Sequence, residues 1–194
     1  DIKFIIDNIN VLAKKTKILS SNKHSLITSL NKKLSKKVLN EINLQTPKIY
    51  LESKLNTKDF PIIAKKNGSR DAVTKGFIFL KNLKEFKNLK KKDLIFEKFI
   101  DGVEYTTDVL CDLNSNPIFI MPRIRISTRA HITDKGITMK DYGIISEAKR
   151  ICKKFKIIGL ANLQCIKFRN KNYWTDINLR ISGGVPLFLG SCKN

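Results

Sequence analysis

No apolar run in this chain is long enough to span a bilayer, and its first residues lack the basic, apolar, small-residue order of a signal peptide. No membrane partner is therefore expected, and the reading is a cytoplasmic protein. The four cysteines, Cys111, Cys152, Cys165 and Cys192, have no paired short spacing. Three of them sit in or beside apolar stretches, where a thiol behaves as a small hydrophobe, so they read as reduced and structural. Internal repeats and low-complexity linkers are also missing. Acids are scarce: 17 Asp and Glu stand against 38 Lys and Arg, for a formal charge of +21. Such an excess ordinarily raises nucleic acid or an anionic membrane as partner. Here it is mostly Lys, spread along the chain and accompanied by Ile and Asn, the profile of a coding sequence rich in A and T. The denser patches, 32–37 and 84–92, do not interleave the aromatics or glycines of an RNA-binding surface. Nucleic acid is not expected to be the main partner.

What is present is enough for one domain or one and a half: 194 residues, 42% hydrophobic. Residues 2–6 read as a short buried strand, followed by a turn and a brief helix. Between 20 and 43, Leu26, Leu30, Leu34, Val38, Leu39 and Ile42 recur at helical spacing and predict two amphipathic helices, ended by Thr46-Pro47. Strands are predicted over 48–51, 61–65, 76–80, 94–100, 104–112, 118–126, 160–168 and 173–177. One helix is expected over 82–89, capped by Asn82 with Glu85 in the capping-box position, and another over 142–155. Residues 127–139, polar and containing glycine, read as a mobile loop. Hairpins mixed with single helices indicate an α+β fold with two small sheet-bearing lobes.

The most informative stretch is Thr175-Asp176-Ile177-Asn178-Leu179-Arg180-Ile181-Ser182-Gly183-Gly184. Asp176, Asn178 and Arg180 alternate, so on a strand their side chains leave one face together. Carboxylate and amide oxygens suit a hard cation such as Mg²⁺, and a guanidinium suits a phosphate. Taken alone, the same residues also fit a polar strand edge running into a glycine turn.

The order of the pieces resembles the ATP-grasp family, most closely the branch containing the large subunit of carbamoyl-phosphate synthase and related amino-acid ligases. Asn31-Lys32, followed by Leu34, Leu39 and Thr46-Pro47, resembles a family helix that begins with Asp-Lys or Asp-Arg. Phe60-Pro61-Ile62-Ile63-Ala64-Lys65 resembles the strand ending in a phosphate-binding lysine, and Asn67-Gly68-Ser69-Arg70 resembles the phosphate flap. Glu97-Lys98-Phe99-Ile100-Asp101-Gly102-Val103-Glu104 resembles the segment between lobes that reads the nucleoside. The resemblance implies an ATP-grasp fold with the nucleotide held between two sheets. It implies contacts to ATP from Lys32, Lys65, Ser69, Glu97, Lys98, Phe99, Glu104, Gln164 and Asp176. Metal ligation by Gln164, Asp176 and Asn178 follows, with Mg²⁺ or Mn²⁺ as cofactor, and Asn178 and Arg180 take catalytic roles. Arg123, Arg125 and Arg129 fall where the family often keeps substrate or phosphate arginines, and His131 lies in the same stretch.

By the same resemblance the chain divides into 1–22, a remnant of a preceding Rossmann-like domain; 23–98, linker helices and the small lobe; and 99–194, the large lobe. The implied activity is an ATP-dependent ligase joining a small-molecule carboxylate to an amine or ammonia through an acyl phosphate. A further domain, a partner chain or a second copy is expected to supply the rest of the acceptor site. The alternatives are a non-catalytic or partner-dependent nucleotide-binding module and, below that, a basic nucleic-acid binder.

Overall fold

The structure, a computed structural model, describes residues 2–68, 77–90, 92–129, 132–181, 183, 186, 189 and 190. Three helices come first: α1 (Ile2–Lys15), α2 (Lys23–Leu30) and α3 (Lys32–Glu41). Strands β1 (Ile49–Tyr50), β2 (Ile62–Lys66), β3 (Ile78–Leu80) and β4 (Leu94–Lys98), with the short helix α4 (Leu83–Lys87), build a sheet ordered β1-β4-β2-β3. Strands β5 (Val103–Cys111), β6 (Pro117–Arg129), β7 (Ile132–Thr138), β8 (Gly159–Phe168) and β9 (Lys171–Asn178) build a second sheet ordered β7-β6-β5-β8-β9, with α5 (Tyr142–Lys154) between β7 and β8. Every strand pairing is antiparallel. The fold is α+β, with two sheets joined by residues 99–102.

The helix boundaries have local causes. Asn22 caps α2 by accepting from Ser25 N, and Asn31 caps α3 by accepting from Lys33 N and Leu34 N. Asn82 accepts from Glu85 N at the start of α4, and Asp141 accepts from Ile144 N at the start of α5. Gly102, in the crossing between sheets, is a case where only glycine fits. A Cβ there would lie 2.4 Å from the carbonyl oxygen of Lys167, so the chain passes against β8 with no room for a side chain.

Two sequence expectations are corrected. Residues 2–6 are not a strand but the first turns of α1. Ile6 is buried, and Ile2 and Ile5 pack on the main core, so the apolar run is one stripe of a helix. A five-residue apolar run does not distinguish the two periods by itself. Residues 127–139 are not a loop throughout: β6 continues to Arg129, and β7 pairs with it over Arg123↔Thr138 to Arg129↔Ile132, with register shifts around Ser127. Cross-strand pairing overrides the weak strand propensity of the Thr-Asp-Lys-Gly sequence. His131 lies outside the described residues.

The large sheet has two unlike faces. Tyr105, Val109, Ala161, Leu163, Cys165 and Ile177 face a core completed by Ile144, Ala148 and Ile151 of α5 and by Leu26 and Leu39 of α2 and α3. Trp174 is fully buried in that core and donates its indole N–H to Glu147 at 2.6 Å. Thr106 and Asp108 on β5 and Asn162 and Gln164 on β8 alternate with these and lie on the opposite face, where Gln164 lines the space between the sheets. Cys111, Cys152 and Cys165 are buried free thiols, as expected for structural cysteines. Hydrogen bonding to Cys111 and burial push the Cys152 thiol up, and burial pushes Cys165 up.

Candidate active site

The inward face of the large sheet is polar by register. Thr106 on β5 pairs with Gln164 on β8, Gln164 pairs with Asp176 on β9, and Asn162 pairs with Asn178. Between Gln164 and Cys165 the register shifts, because Cys165 pairs with Trp174 and leaves Thr175 as the extra residue. A bulge of this kind re-aims side chains. Here it lets Thr175 and Asp176 both line the space between the sheets. Beneath this face, buried Asp108 accepts from Arg123 Nε at 2.8 Å and from Asn162 Nδ2 at 2.9 Å. Arg123 is thus part of the sheet's internal wiring rather than a ligand arginine. Arg125, two residues on, does reach the cleft.

Two cavities meet at this face. The first, about 290 Å³, lies between the sheets and along the crossing segment. Ile63, Lys65, Phe77, Glu97, Lys98, Phe99, Gly102, Glu104, Tyr105 and Arg125 contribute to its walls. Its apolar part includes Ile63, Phe77, Ile100, Ile166 and Phe99, the last of which stacks edge-on against Phe79 at 4.9 Å between centroids. At one rim Glu104 is half-exposed and pairs with Arg125 at 3.0 Å. The second cavity, about 340 Å³, is lined by Ile2, Lys3, Ser29, Leu30, Lys32, Gly68, Asn178 and Arg180 among others. Gln164 and Asp176 line both cavities and form the wall they share. Arg180 donates from Nη1 to the carbonyl of Ile181 at 3.0 Å.

Around that wall runs a chain of charges. Lys32, the first residue of α3, donates to Asp176 Oδ1. Lys65, on β2, stands 3.6 Å from Asp176 Oδ2 and 3.4 Å from Glu97 Oε2. Lys36, one turn beyond Lys32, stands 2.7 Å from Glu97 Oε1 and 3.4 Å from the carbonyl of Pro47. Glu97 and Lys36 are almost wholly buried. Burial lowers the Lys36 pKa from the ordinary lysine value, against the opposing pull of Glu97.

The structure therefore brings together Lys32, Lys65, Glu97, Lys98, Phe99, Glu104, Gln164, Asp176, Asn178 and Arg180. Ser69 lies outside the described residues. One placement differs from the simple expectation for Glu97. Both of its carboxylate oxygens face lysines, so its side chain is a counter-ion inside the cleft. Sequence reasoning passed over Lys36, whose signal was its spacing of four from Lys32, which puts both on one helix face.

The donor set of Gln164, Asp176 and Asn178 offers one carboxylate and two amide oxygens, all hard. This fits Mg²⁺, which typically takes one or two protein carboxylates and completes its shell with water and substrate phosphate. Among the described residues there is no group of three or more His, Cys, Asp and Glu that would form an all-protein cage. The lysine ammonium groups on Asp176 show that this wall already attracts cations.

A two-lobed cleft with a carboxylate-amide wall, lysines on the opposing side and an apolar slot beside the crossing strand is a nucleotide-binding arrangement of the ATP-grasp kind. The chain belongs to the ATP-grasp family: residues 90–194 match the family model described as "ATP-grasp in the biosynthetic pathway with Ter operon". No curated protein matches the sequence. Among solved structures, the chain is similar to D-alanine–D-alanine ligase from Bacillus anthracis complexed with ATP, at TM-score 0.67 and 16% identity. That match covers 91% of this chain and 61% of the ligase. It is also similar to the biotin carboxylase domain of 2-oxoglutarate carboxylase from Hydrogenobacter thermophilus, in complex with MgADP, ADP and bicarbonate, at TM-score 0.73 and 15% identity, covering 94% and 48%. A third is the L-amino acid ligase from Bacillus licheniformis, at TM-score 0.70 and 14% identity, covering 97% and 56%. At these identities the likeness establishes the fold, and the chain spans roughly half to three-fifths of each of these three relatives.

Proposed function

We propose that this chain binds Mg-ATP and positions its phosphates for an ATP-dependent ligase that joins a carboxylate to an amine or ammonia through an acyl phosphate. The observation that carries this reading is the shared wall. Gln164 and Asp176 stand between a cavity with an apolar slot and the half-exposed acid Glu104, and a second cavity bearing Asn178 and Arg180. A nucleotide lying across that wall would place its nucleoside in the first cavity and its terminal phosphate at the second.

In this reading Phe99 and Ile63 sandwich the base, and the backbone of residues 98–100 reads its edge. Glu104 accepts the ribose hydroxyls, where hydrogen bonds to an ionised acceptor are stronger than neutral ones. Lys65 and Lys32 exchange Asp176 for phosphate oxygens, and Arg180 steadies the transferred group at the mouth of the second cavity. Bound through Gln164, Asp176 and Asn178, Mg²⁺ would neutralise charge building on the phosphates. Phosphoryl transfer needs positioning and cationic stabilisation rather than a protein nucleophile. The cleft supplies both. The small lobe is taken as residues 23–98 and the large lobe as 99–194. The placement near carbamoyl-phosphate synthase rests on the motifs of residues 31–47 and 97–104, and a cytoplasmic setting belongs to the same reading.

Asp176→Asn tests it directly. The purified chain should bind ATP more tightly with Mg²⁺ than with a chelator, by calorimetric titration. In the variant that metal-dependent gain should vanish while metal-free binding persists, because the lysines lose a competing carboxylate. A wild-type chain without Mg-ATP binding, or a variant with its metal dependence intact, removes the assignment.

A further inference from the structure

The least expected member of the cleft is Lys36. Its ammonium sits in a site where the residue is 2% exposed, against a carboxylate that is 1% exposed. Burying a lysine is costly unless it is paired, and a buried ion pair gives little net stability compared with apolar residues of similar volume. Stability alone is therefore a weak reason for the pair. Its position offers a better one.

Glu97 has two oxygens and two lysines. Lys36 takes Oε1 at 2.7 Å, and Lys65 stands at the longer distance of 3.4 Å from Oε2. Lys65 and Glu97 line the nucleotide cavity, whereas Lys36 lines neither cavity of the site and borders a separate groove with Lys33, Lys37 and Lys48. Lys36 therefore acts on the cleft from behind. Three ammonium groups, Lys32, Lys36 and Lys65, face two carboxylates, Glu97 and Asp176. Without Lys36, the ion-pair partner left to Glu97 among the described residues is Lys65. Held between Glu97 and Asp176, Lys65 would then have less to gain from a phosphate.

We infer that Lys36 is a positioning residue for the nucleotide phosphates: its ion pair with Glu97 weakens the hold of that carboxylate on Lys65, so that Lys65 yields more readily to the phosphate chain. The inference rests on the proposed Mg-ATP site. It concerns a residue that touches no ligand, so its effect is on phosphate recognition and not on the nucleoside slot.

The test is calorimetric titration of wild type, Lys36→Met and Glu97→Gln with Mg-ATP and with adenosine, scored as the ratio of the two affinities. In Lys36→Met the ratio should fall about tenfold, equivalent to about 1.4 kcal/mol, with adenosine affinity retained. In Glu97→Gln, where Lys65 is released from its carboxylate, the ratio should rise. An equal loss for both ligands in Lys36→Met means a purely structural role and overturns the inference, as does an unchanged ratio. If Lys36→Met does not fold, Glu97→Gln decides, and a ratio that falls or stays constant overturns it. Wild type that binds no Mg-ATP removes the proposed function itself, whereas wild type that binds with unaltered ratios in the variants removes only the role of Lys36.

Discussion

The two sheets that face each other across the cleft have different cores and turn different polar side chains toward it. The large sheet rests on nineteen buried hydrophobic residues among those described, drawn from α1, α2, α3, α5, the strands β5, β8 and β9, and residues flanking them. The small sheet rests on five, Ile62, Ala64, Leu80, Phe86 and Phe96, with partly buried neighbours such as Phe60 and Tyr50. Toward the cleft, the large sheet turns oxygen donors, Gln164, Asp176 and Asn178, while the small sheet and α3 turn lysines. A polyanion with its metal ion matches both sides at once. The side that must be rigid to hold a metal is the well-packed one. The small sheet, which carries Lys65, has the small core, so opening of the cleft is expected to run through it, while Lys32 and Lys36 on α3 stay with the large core.

The largest effect should come from Trp174→Ala. The indole is fully buried and its N–H is bonded to Glu147, so the change leaves a large cavity and removes that hydrogen bond. A loss of roughly 3–5 kcal/mol is expected, enough to remove most of the stability of a domain of this size. Urea denaturation followed by circular dichroism checks it. A loss below about 1 kcal/mol would mean that the large core is not the one that holds the chain together.

Phe96→Ala is the matching change in the small sheet, where Phe96 meets Phe86 edge-on at 5.1 Å. Its side chain is as buried as that of Trp174, yet the global midpoint should move less, because opening of the small sheet costs less than global unfolding. The signature is in amide exchange. Amides of β2 and β4 should exchange in the variant at nearly unprotected rates while those of β5 and β8 remain protected. Equal acceleration in both sheets would break the comparison by showing a single cooperative unit.

How far this contrast was readable beforehand depends on the kind of interaction involved. The strands of the large sheet were legible from short apolar stretches bounded by turn residues, with apolar and polar residues alternating over Ala161-Asn162-Leu163-Gln164-Cys165. The lysine at the end of 62–65 was legible because a charge directly after an apolar run has nowhere to go but a strand end or a cleft. Helix α1 was misread because Ile-Lys-Phe-Ile-Ile satisfies both periods. Strand β7 was missed because its stability comes from pairing with β6 and not from its own residues. Lys36 was passed over for a stricter reason. Its partner Glu97 is 61 positions away, on a strand of the facing sheet, and no local pattern encodes that meeting. The Thr175 bulge is likewise a property of the β8–β9 register and not of either strand alone.

The smallest expected effect sharpens the comparison by asking where acid acts. Asp141 caps α5 by accepting from Ile144 N at 3.1 Å, and its other oxygen accepts from Lys167 on β8, so it ties the helix to the large sheet. Burial pushes its pKa up, but the hydrogen bonds from Lys167 and Ile144 outweigh that and hold it below the ordinary 3.8. Lys167 is raised above the ordinary 10.5, first by its hydrogen bond to Asp141. The signs follow from linkage. A depressed carboxyl pKa contributes stability that is complete above 3.8 and is lost as pH falls through the folded value. A raised lysine pKa contributes stability that is complete below 10.5 and is lost as pH rises through its folded value. Asp141→Ala should therefore cost about 1 kcal/mol at neutral pH, the usual worth of an N-cap. The gap between wild type and variant should narrow as pH drops below 3.8. Urea midpoints of both proteins across the acid range give the answer. If the gap stays constant as the carboxyl is protonated, the charge on Asp141 contributes nothing. The link between α5 and β8 would then rest on the apolar contacts of Ile144, Ala148 and Ile151 alone.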